Sequence, residues 1–134
     1  MEDREVLLKQ VRRAYKARDT GALEDMMAEC HPDVVFTLAG DRNATQVLGS
    51  MCGHPQVKDA LAKLIDTFEF AHRNILTELV DNDRVAVRSR LTVRSCPTNM
   101  TRETEILDLF RIQDGKIVEL IEFADTALIQ AMVS

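Results

Sequence analysis

The sequence predicts an α+β protein in which a curved antiparallel sheet packs against N-terminal helices. Two observations carry this prediction. Apolar residues recur at helical spacing in three segments before residue 70, and from residue 70 onward they alternate with a period of two. Turn sequences divide the second part into strands that follow one another as a meander. Helices that precede an antiparallel meander indicate the α+β class, with the helices on one face of the sheet.

Four helices are predicted from apolar stripes and from residues that begin or end helices. Asp19 or Thr20 can serve as the N-cap of the second helix, and His31-Pro32 ends it. Asp125 can cap the last helix in the same way. The predicted helices cover residues 4–18, 20–30, 54–68 and 126–132.

Five strands are predicted from β-branched runs and from alternation. Residues 39–53, with three glycines, are predicted to form an irregular loop, and a loop of this length is usually functional. Turn sequences at residues 81–83 and 113–115 join the four later strands in pairs, as two hairpins. The predicted strands cover residues 34–38, 70–80, 84–96, 101–112 and 116–124.

Length and charge limit the classes of function. The 134 residues are enough for one domain, predicted to span residues 1–134. A net charge of −5 disfavours binding to nucleic acid or to an anionic membrane, and no apolar run is long enough for a membrane span. The first ten residues lack the basic start and apolar block of a signal peptide, so we predict a cytoplasmic protein.

The long strands carry apolar residues on both faces. In the strand over residues 101–112, Ile106 and Phe110 lie on one face, while Leu107 and Leu109 lie on the other. A sheet with one face in water shows apolar residues on one face only. We therefore predict that helices cover one face and that a second copy of the chain covers the other, as a homodimer.

Four stretches, spread over nearly the whole chain, resemble a known superfamily. They are residues 15–23, 31–36, 108–118 and 122–127. Their order and spacing are similar to the SnoaL-like and ketosteroid isomerase-like families of the nuclear transport factor 2-like superfamily. The resemblance implies a cystatin-like cone, in which the sheet and helices enclose a cavity for a small organic molecule. It also implies dimers that pack through the convex face of the sheet.

The resemblance implies where catalytic groups would lie. Ketosteroid isomerase uses an Asp base, together with a Tyr and a protonated Asp that hold the oxyanion. The protonated Asp corresponds to Asp108, the base to Leu38, and the Tyr to Ala14, next to Tyr15. Because leucine cannot accept a proton, we predict no steroid isomerase activity.

A second branch of the superfamily, similar to limonene epoxide hydrolase, uses an Asp-Arg-Asp set. Arg88 and Arg90 correspond to its Arg-x-Asp pair, and Asp125 corresponds to its second carboxylate. Because Arg90 replaces the central Asp, we do not expect epoxide hydrolysis by that mechanism. SnoaL-type cyclases use an acidic residue as acid and base, and the corresponding candidate is Asp108.

The same comparison turns the arginine face of the strand over residues 84–96 into the cone. Arg88 and Arg90 would then bind a substrate, since arginine binds carboxylates well, and would lie beside Asp108 and Glu122. The alternative is an arginine stripe in water, because an error of one residue in register reverses the faces.

Asp108, between Leu107 and Leu109, is the main catalytic candidate. A buried carboxyl has a raised pKa, which suits a general acid or base. Tyr15 and His72 are the secondary catalytic candidates, the first as a hydroxyl donor and the second as a group that titrates near neutral pH. Each has a structural alternative, as an ion-pair partner, a packing residue or a surface residue.

The sequence leaves two functions open. One is cofactor-free isomerisation, cyclisation or hydration of a small organic molecule, with Glu122 and Asp125 as further substrate-binding residues. The other is a ligand-binding or dimerisation module without catalysis. No cofactor is expected, and no metal site, because the three histidines lie on separate elements. The loop over residues 39–53 is a candidate gate for the cavity.

Overall fold

The computed structural model describes residues 3–40 and 49–134. Its helices are α1 (Arg4–Thr20), α2 (Leu23–Ala28), α3 (His54–Thr67) and α4 (Thr126–Val133). Its strands are β1 (Cys30–Leu38), β2 (Gly49–Cys52), β3 (Phe68–Asp81), β4 (Arg84–Ser95), β5 (Thr101–Gln113) and β6 (Lys116–Phe123). The predicted α+β class is confirmed.

The strands form one curved six-stranded sheet in the order β2-β1-β6-β5-β4-β3. Strands β3 to β6 are the predicted antiparallel meander. Strand β1 pairs parallel with β6 and antiparallel with β2, so the sheet contains one parallel pair. The parallel pairing brings the end of β6 beside β1, where the amide of Ala39 donates to the carbonyl oxygen of Glu122 at 2.9 Å.

Two predictions between α1 and α3 are wrong. The second helix ends at Ala28, and Cys30 already pairs with Ile117 in the sheet, because pairing with β6 prevails over the local helical pattern. Part of the predicted loop is strand β2, whose sequence, Gly-Ser-Met-Cys, has no alternation that could have indicated a strand. Residues 41–48 of the candidate gate lie outside the described residues.

The core lies between the inner face of the sheet and the helices. Helix α1 begins at its N-cap Asp3 and ends at Gly21, whose φ of 72° a side chain would disfavour. Leu7 and Val11 of α1 are fully buried against the sheet. The inner sheet positions in this core include Phe36, Val85, Val87, Phe110, Ile112 and Ile117. Each of the alternating β4 positions 85, 87, 89, 91 and 93 is buried.

A bulge in β3 decides which of its side chains face inward. Ala71 pairs with Thr92 and Asn74 pairs with Arg90, so His72 and Arg73 together oppose one residue of β4. His72 has a φ of 54°. The extra residue reverses the alternation, so that His72 is exposed while Arg73 turns toward the core.

The outer face of the sheet combines apolar and charged residues. Arg88 Nε donates to Glu105 Oε1 at 2.6 Å, and Arg90 Nη2 donates to Glu105 Oε2 at 3.1 Å. The large apolar residues exposed on the strands are Leu76, Leu79, Leu107, Leu109 and Phe123. Within residues 3–40 and 49–134, no helix is both long and apolar enough to span a membrane.

Candidate functional site

A cavity of about 80 Å³ lies between the inner face of the sheet and the helices. That is room for several water molecules. Its walls are mostly apolar, and Leu38, which occupies the predicted base position, is one of them. The ionisable side chains in its wall are Tyr15, Arg18, Arg73, Asp108, Glu122 and Asp125. A mostly apolar pocket with a few convergent polar groups is the usual form of a ligand site.

Tyr15 and Asp108 form a buried hydrogen bond inside the cavity. Tyr15 Oη donates to Asp108 Oδ2 at 2.7 Å, from α1 across to β5. The Tyr15 ring packs edge-on against Phe110, with 5.7 Å between ring centres, which fixes the direction of the hydroxyl. Burial and the adjacent Asp108 raise the pKa of Tyr15, so the phenol stays protonated. The pair therefore presents a hydroxyl donor and a carboxyl to the same space.

Glu122 of β6 faces Asp108 across the strand pair. The two residues are direct partners in the β5–β6 register, so their side chains leave the sheet on the same face. Burial, and then the charge of Glu122, raise the pKa of Asp108 well above its ordinary value. Burial also raises the pKa of Glu122. The Glu122 carboxyl lines the same cavity as Asp108, where a ligand can meet it.

Arg73 is held beside Tyr15 by a bidentate ion pair. Its Nε and Nη2 donate to the two carboxylate oxygens of Asp19 at 2.8 and 3.0 Å, and its Nη1 donates to Ser89 Oγ at 3.1 Å. The guanidinium carbon lies 4.0 Å from the centre of the Tyr15 ring. Its positive charge lowers the pKa of Tyr15 and of Asp108, opposing the effect of burial. Arg73 thus supports the Tyr15 ring, and its charge favours the ionised form of Asp108.

Arg18 is the second buried cation of the cavity. Its guanidinium carbon lies 3.8 Å from the centre of the Phe70 ring. Its Nη2 donates to the carbonyl oxygens of Phe68 at 3.0 Å and of Leu64 at 3.4 Å, at the end of α3. Burial lowers the pKa of Arg18, and the negative charge of Glu122 opposes this shift.

The structure brings together four of the seven predicted site residues. Tyr15, Asp108 and Glu122 converge in the cavity, although Tyr15 is one residue away from the position that the resemblance implied. Asp125 also lines the cavity, and its Oδ1 accepts from the amide of Leu128 at 3.0 Å as the N-cap of α4.

The structure does not bring the other three residues to the cavity. Arg88 and Arg90 lie on the outer face, with their side chains 51% and 50% exposed, because β4 packs its Val and Leu face on the helices. The ordinary alternation of the strand prevails there over the register taken from the resemblance. His72 is exposed because the bulge in β3 turns its neighbour Arg73 inward instead.

Sequence reasoning missed the two cavity arginines. Arg18 follows Ala14 at i+4, on the helix face that begins with Leu7 and Val11, so the stripe itself could have indicated it. Arg73 could not have been found by alternation, since the bulge has no visible signal in the sequence. The described residues contain no group of three or more His, Cys, Asp or Glu that could bind a metal ion.

Comparisons with known proteins agree with this architecture. A family model described as a SnoaL-like domain matches residues 11–120. TerC, co-crystallised with polyporic acid, superimposes with a TM-score of 0.82 at 18% identity, over 96% of this chain and 98% of that one. A protein of unknown function with a cystatin-like fold from Xanthomonas campestris gives 0.80 at 24% identity, over 96% and 98%.

A third solved structure, an LEH-like epoxide hydrolase from M. tuberculosis, superimposes with a TM-score of 0.75 at 14% identity, over 96% of this chain and 90% of that one. No curated protein matches the sequence. At these identities the superpositions show the fold alone, and they confirm the predicted cystatin-like fold.

Proposed function

We propose that this chain, which belongs to the SnoaL-like family, binds a small organic molecule in its cavity and catalyses a cofactor-free proton transfer on it. The observation that carries the proposal is the 2.7 Å hydrogen bond from Tyr15 to Asp108, in an apolar cavity that also holds Glu122. Two carboxyls that share a low-dielectric site hold their protons differently from carboxyls in water, and such pairs divide the roles of acid and base.

In this mechanism, Asp108 acts in its neutral form as a hydrogen-bond donor or acid toward a ligand carbonyl oxygen. Tyr15 Oη occupies one oxygen of Asp108 and leaves the other oxygen for the ligand. Glu122, which lines the same cavity beside Asp108, exchanges a proton with the ligand carbon next to that carbonyl. Raised pKa values bring both carboxyls closer to neutral pH, where acid–base catalysis is most efficient. Isomerisation, cyclisation and hydration all use such a step.

A general probe of this step is deuterium exchange next to the carbonyl of small aryl ketones such as tetralone and indanone, followed by proton NMR in heavy water. Replacing Asp108 with Asn should slow the exchange by about 100-fold or more, because a positioned acid contributes about 100- to 10,000-fold. Affinity for the ketone should change by only a few-fold. Asp114→Asn, at an exposed turn where Asn also tolerates the φ of 51°, is the matched control and should exchange like the wild type.

The second candidate is a binding module without catalysis, which the apolar walls of the cavity favour by themselves. Such a protein would bind the ketones without accelerating exchange, in the wild type and in both variants alike. That result would contradict the catalytic proposal. We expect no isomerisation of ketosteroids, because Leu38 cannot act as the base.

We further propose that the chain works as a cytoplasmic homodimer that packs through the outer face of the sheet. The exposed leucines of β3 and β5 and Phe123 support this arrangement, because monomers rarely leave such a face in water. Cys30, Cys52 and Cys96 are free thiols, which suits a reducing compartment.

A further inference from the structure

Arg18 has donors that the protein does not use. A guanidinium carries five N–H donors. Two of them, on Nη2, serve the carbonyl oxygens of Leu64 and Phe68 at the end of α3, where an arginine is a common cap. The three donors on Nε and Nη1 meet no acceptor within residues 3–40 and 49–134. Because Arg18 lines the cavity, these donors are available to a ligand.

The two cavity arginines differ in their counter-ions. Arg73 binds both carboxylate oxygens of Asp19 directly. Arg18 is just as much a part of the wall and is only 9% exposed, yet no carboxylate contacts it in the described part of the chain. A buried cation without a hydrogen-bonded anion is costly. Glu122 acts on Arg18 through its charge and forms no hydrogen bond with it.

We infer that Arg18 is a binding subsite for the carboxylate of an organic acid, which makes the ligand of this cavity a small acid with an apolar body. The inference rests on the proposed function and names its substrate class. The unused donors of Arg18 would receive the anionic oxygens. Phe70 and Leu64, which lie beside the guanidinium and line the cavity, would contact the apolar body.

The cavity carboxyls do not prevent this binding. With Arg73 neutralised by Asp19, the charge of Arg18 is balanced at a distance by the Asp108–Glu122 pair. A ligand carboxylate at Arg18 meets the charge of Glu122 alone, because the raised pKa of Asp108 keeps that carboxyl neutral. The ligand therefore gives Arg18 a hydrogen-bonded counter-ion and leaves Glu122 able to act as the base.

The test compares acids with their own esters. Dissociation constants of benzoylpropionate and naphthoate, and of their methyl esters, are measured by calorimetry at neutral pH. At least one acid should bind the wild-type protein about 10-fold or more tightly than its ester, because hydrogen bonds to a charged group are worth that much. Arg18→Met should abolish the preference, and Arg18→Lys should keep part of it. Arg88→Met, on the outer face, is the matched control and should keep all of it.

The inference is overturned if no acid binds the wild-type protein more tightly than its ester, or if Arg18→Met retains the preference. The wild-type comparison needs no variant, so it decides the question even if Arg18→Met does not fold. Failure of the acid subsite and failure of the proposed catalysis give different results. A protein that catalyses ketone exchange without preferring acids contradicts the subsite alone, whereas an acid preference without exchange contradicts the proposed catalysis alone.

Discussion

Replacing Asp108 with Asn should remove a pH-dependent cost that the buried carboxyl imposes on the fold. Burial and the charge of Glu122 raise the pKa of Asp108 in the folded protein, whereas in the unfolded chain it is about 3.9. Between these two pKa values only the folded state holds the proton. The contribution of Asp108 to the free energy of unfolding is therefore greatest at low pH and falls as the pH rises through this window. Asparagine does not ionise, so the free energy of unfolding of the variant should lack this part of the decrease with pH.

The magnitude follows from the number of protons. One proton bound only by the folded state changes the free energy of unfolding by about 1.4 kcal/mol per pH unit. For each pH unit inside the window, Asp108→Asn should thus gain about 1.4 kcal/mol relative to the wild type. At low pH, where Asp108 is protonated in both states, the two proteins should agree within about 1 kcal/mol, because an amide oxygen can still accept from Tyr15.

The assay is urea unfolding, followed by circular dichroism, between about pH 4 and about pH 9. Asp114→Asn serves as the matched control and should run parallel to the wild type. Carboxyls whose pKa is lowered by arginines, such as Glu105 and Asp83, contribute equally to all three proteins and cancel in the difference. If the curves of the wild type and Asp108→Asn stay parallel across this range, Asp108 does not hold its proton and the reasoning is refuted.

Three further changes probe other parts of the structure. Arg73→Met should lower the free energy of unfolding by about 3 kcal/mol, because it leaves the Asp19 carboxylate without its partner; a loss below about 1 kcal/mol in urea unfolding, as for a surface pair, would contradict this. Lys63→Met should leave the urea midpoint nearly unchanged, since its ion pair with Asp59 on the exposed side of α3 contributes little; a large drop would contradict that exposure. Leu109→Glu should convert a dimer into a monomer in analytical ultracentrifugation; a wild-type protein that sediments as a monomer at micromolar concentration would exclude the proposed dimer.

The part of the fold governed by local patterns could be predicted, and the part governed by long-range pairing could not. Helices α1, α3 and α4 and the meander from β3 to β6 follow from periodicity, caps and turns. Cys30 belongs to the apolar stripe of a helix by spacing, yet it is in a strand because β6 lies beside it. No local pattern contains that parallel pairing.

The same distinction applies to the site. Asp108 stands among apolar residues of a strand, which already indicates a buried carboxyl. The valine face of β4 also indicated correctly which side packs on the helices, and the resemblance-based register was misleading for Arg88 and Arg90. Arg73 depends on a bulge that only the three-dimensional pairing of β3 with β4 reveals.

The central claim is that Asp108 holds its proton in the cavity, and carbon-13 NMR of the carboxyl carbons tests it most directly. Followed against pH, the Asp108 signal should titrate well above the ordinary aspartate value of about 3.9. In Tyr15→Phe it should titrate higher still, because the hydrogen bond from Tyr15 lowers the pKa of Asp108. A signal that titrates near about 4 in both proteins would show that Asp108 is ionised at neutral pH, and would contradict the proposed role of Asp108 as the acid.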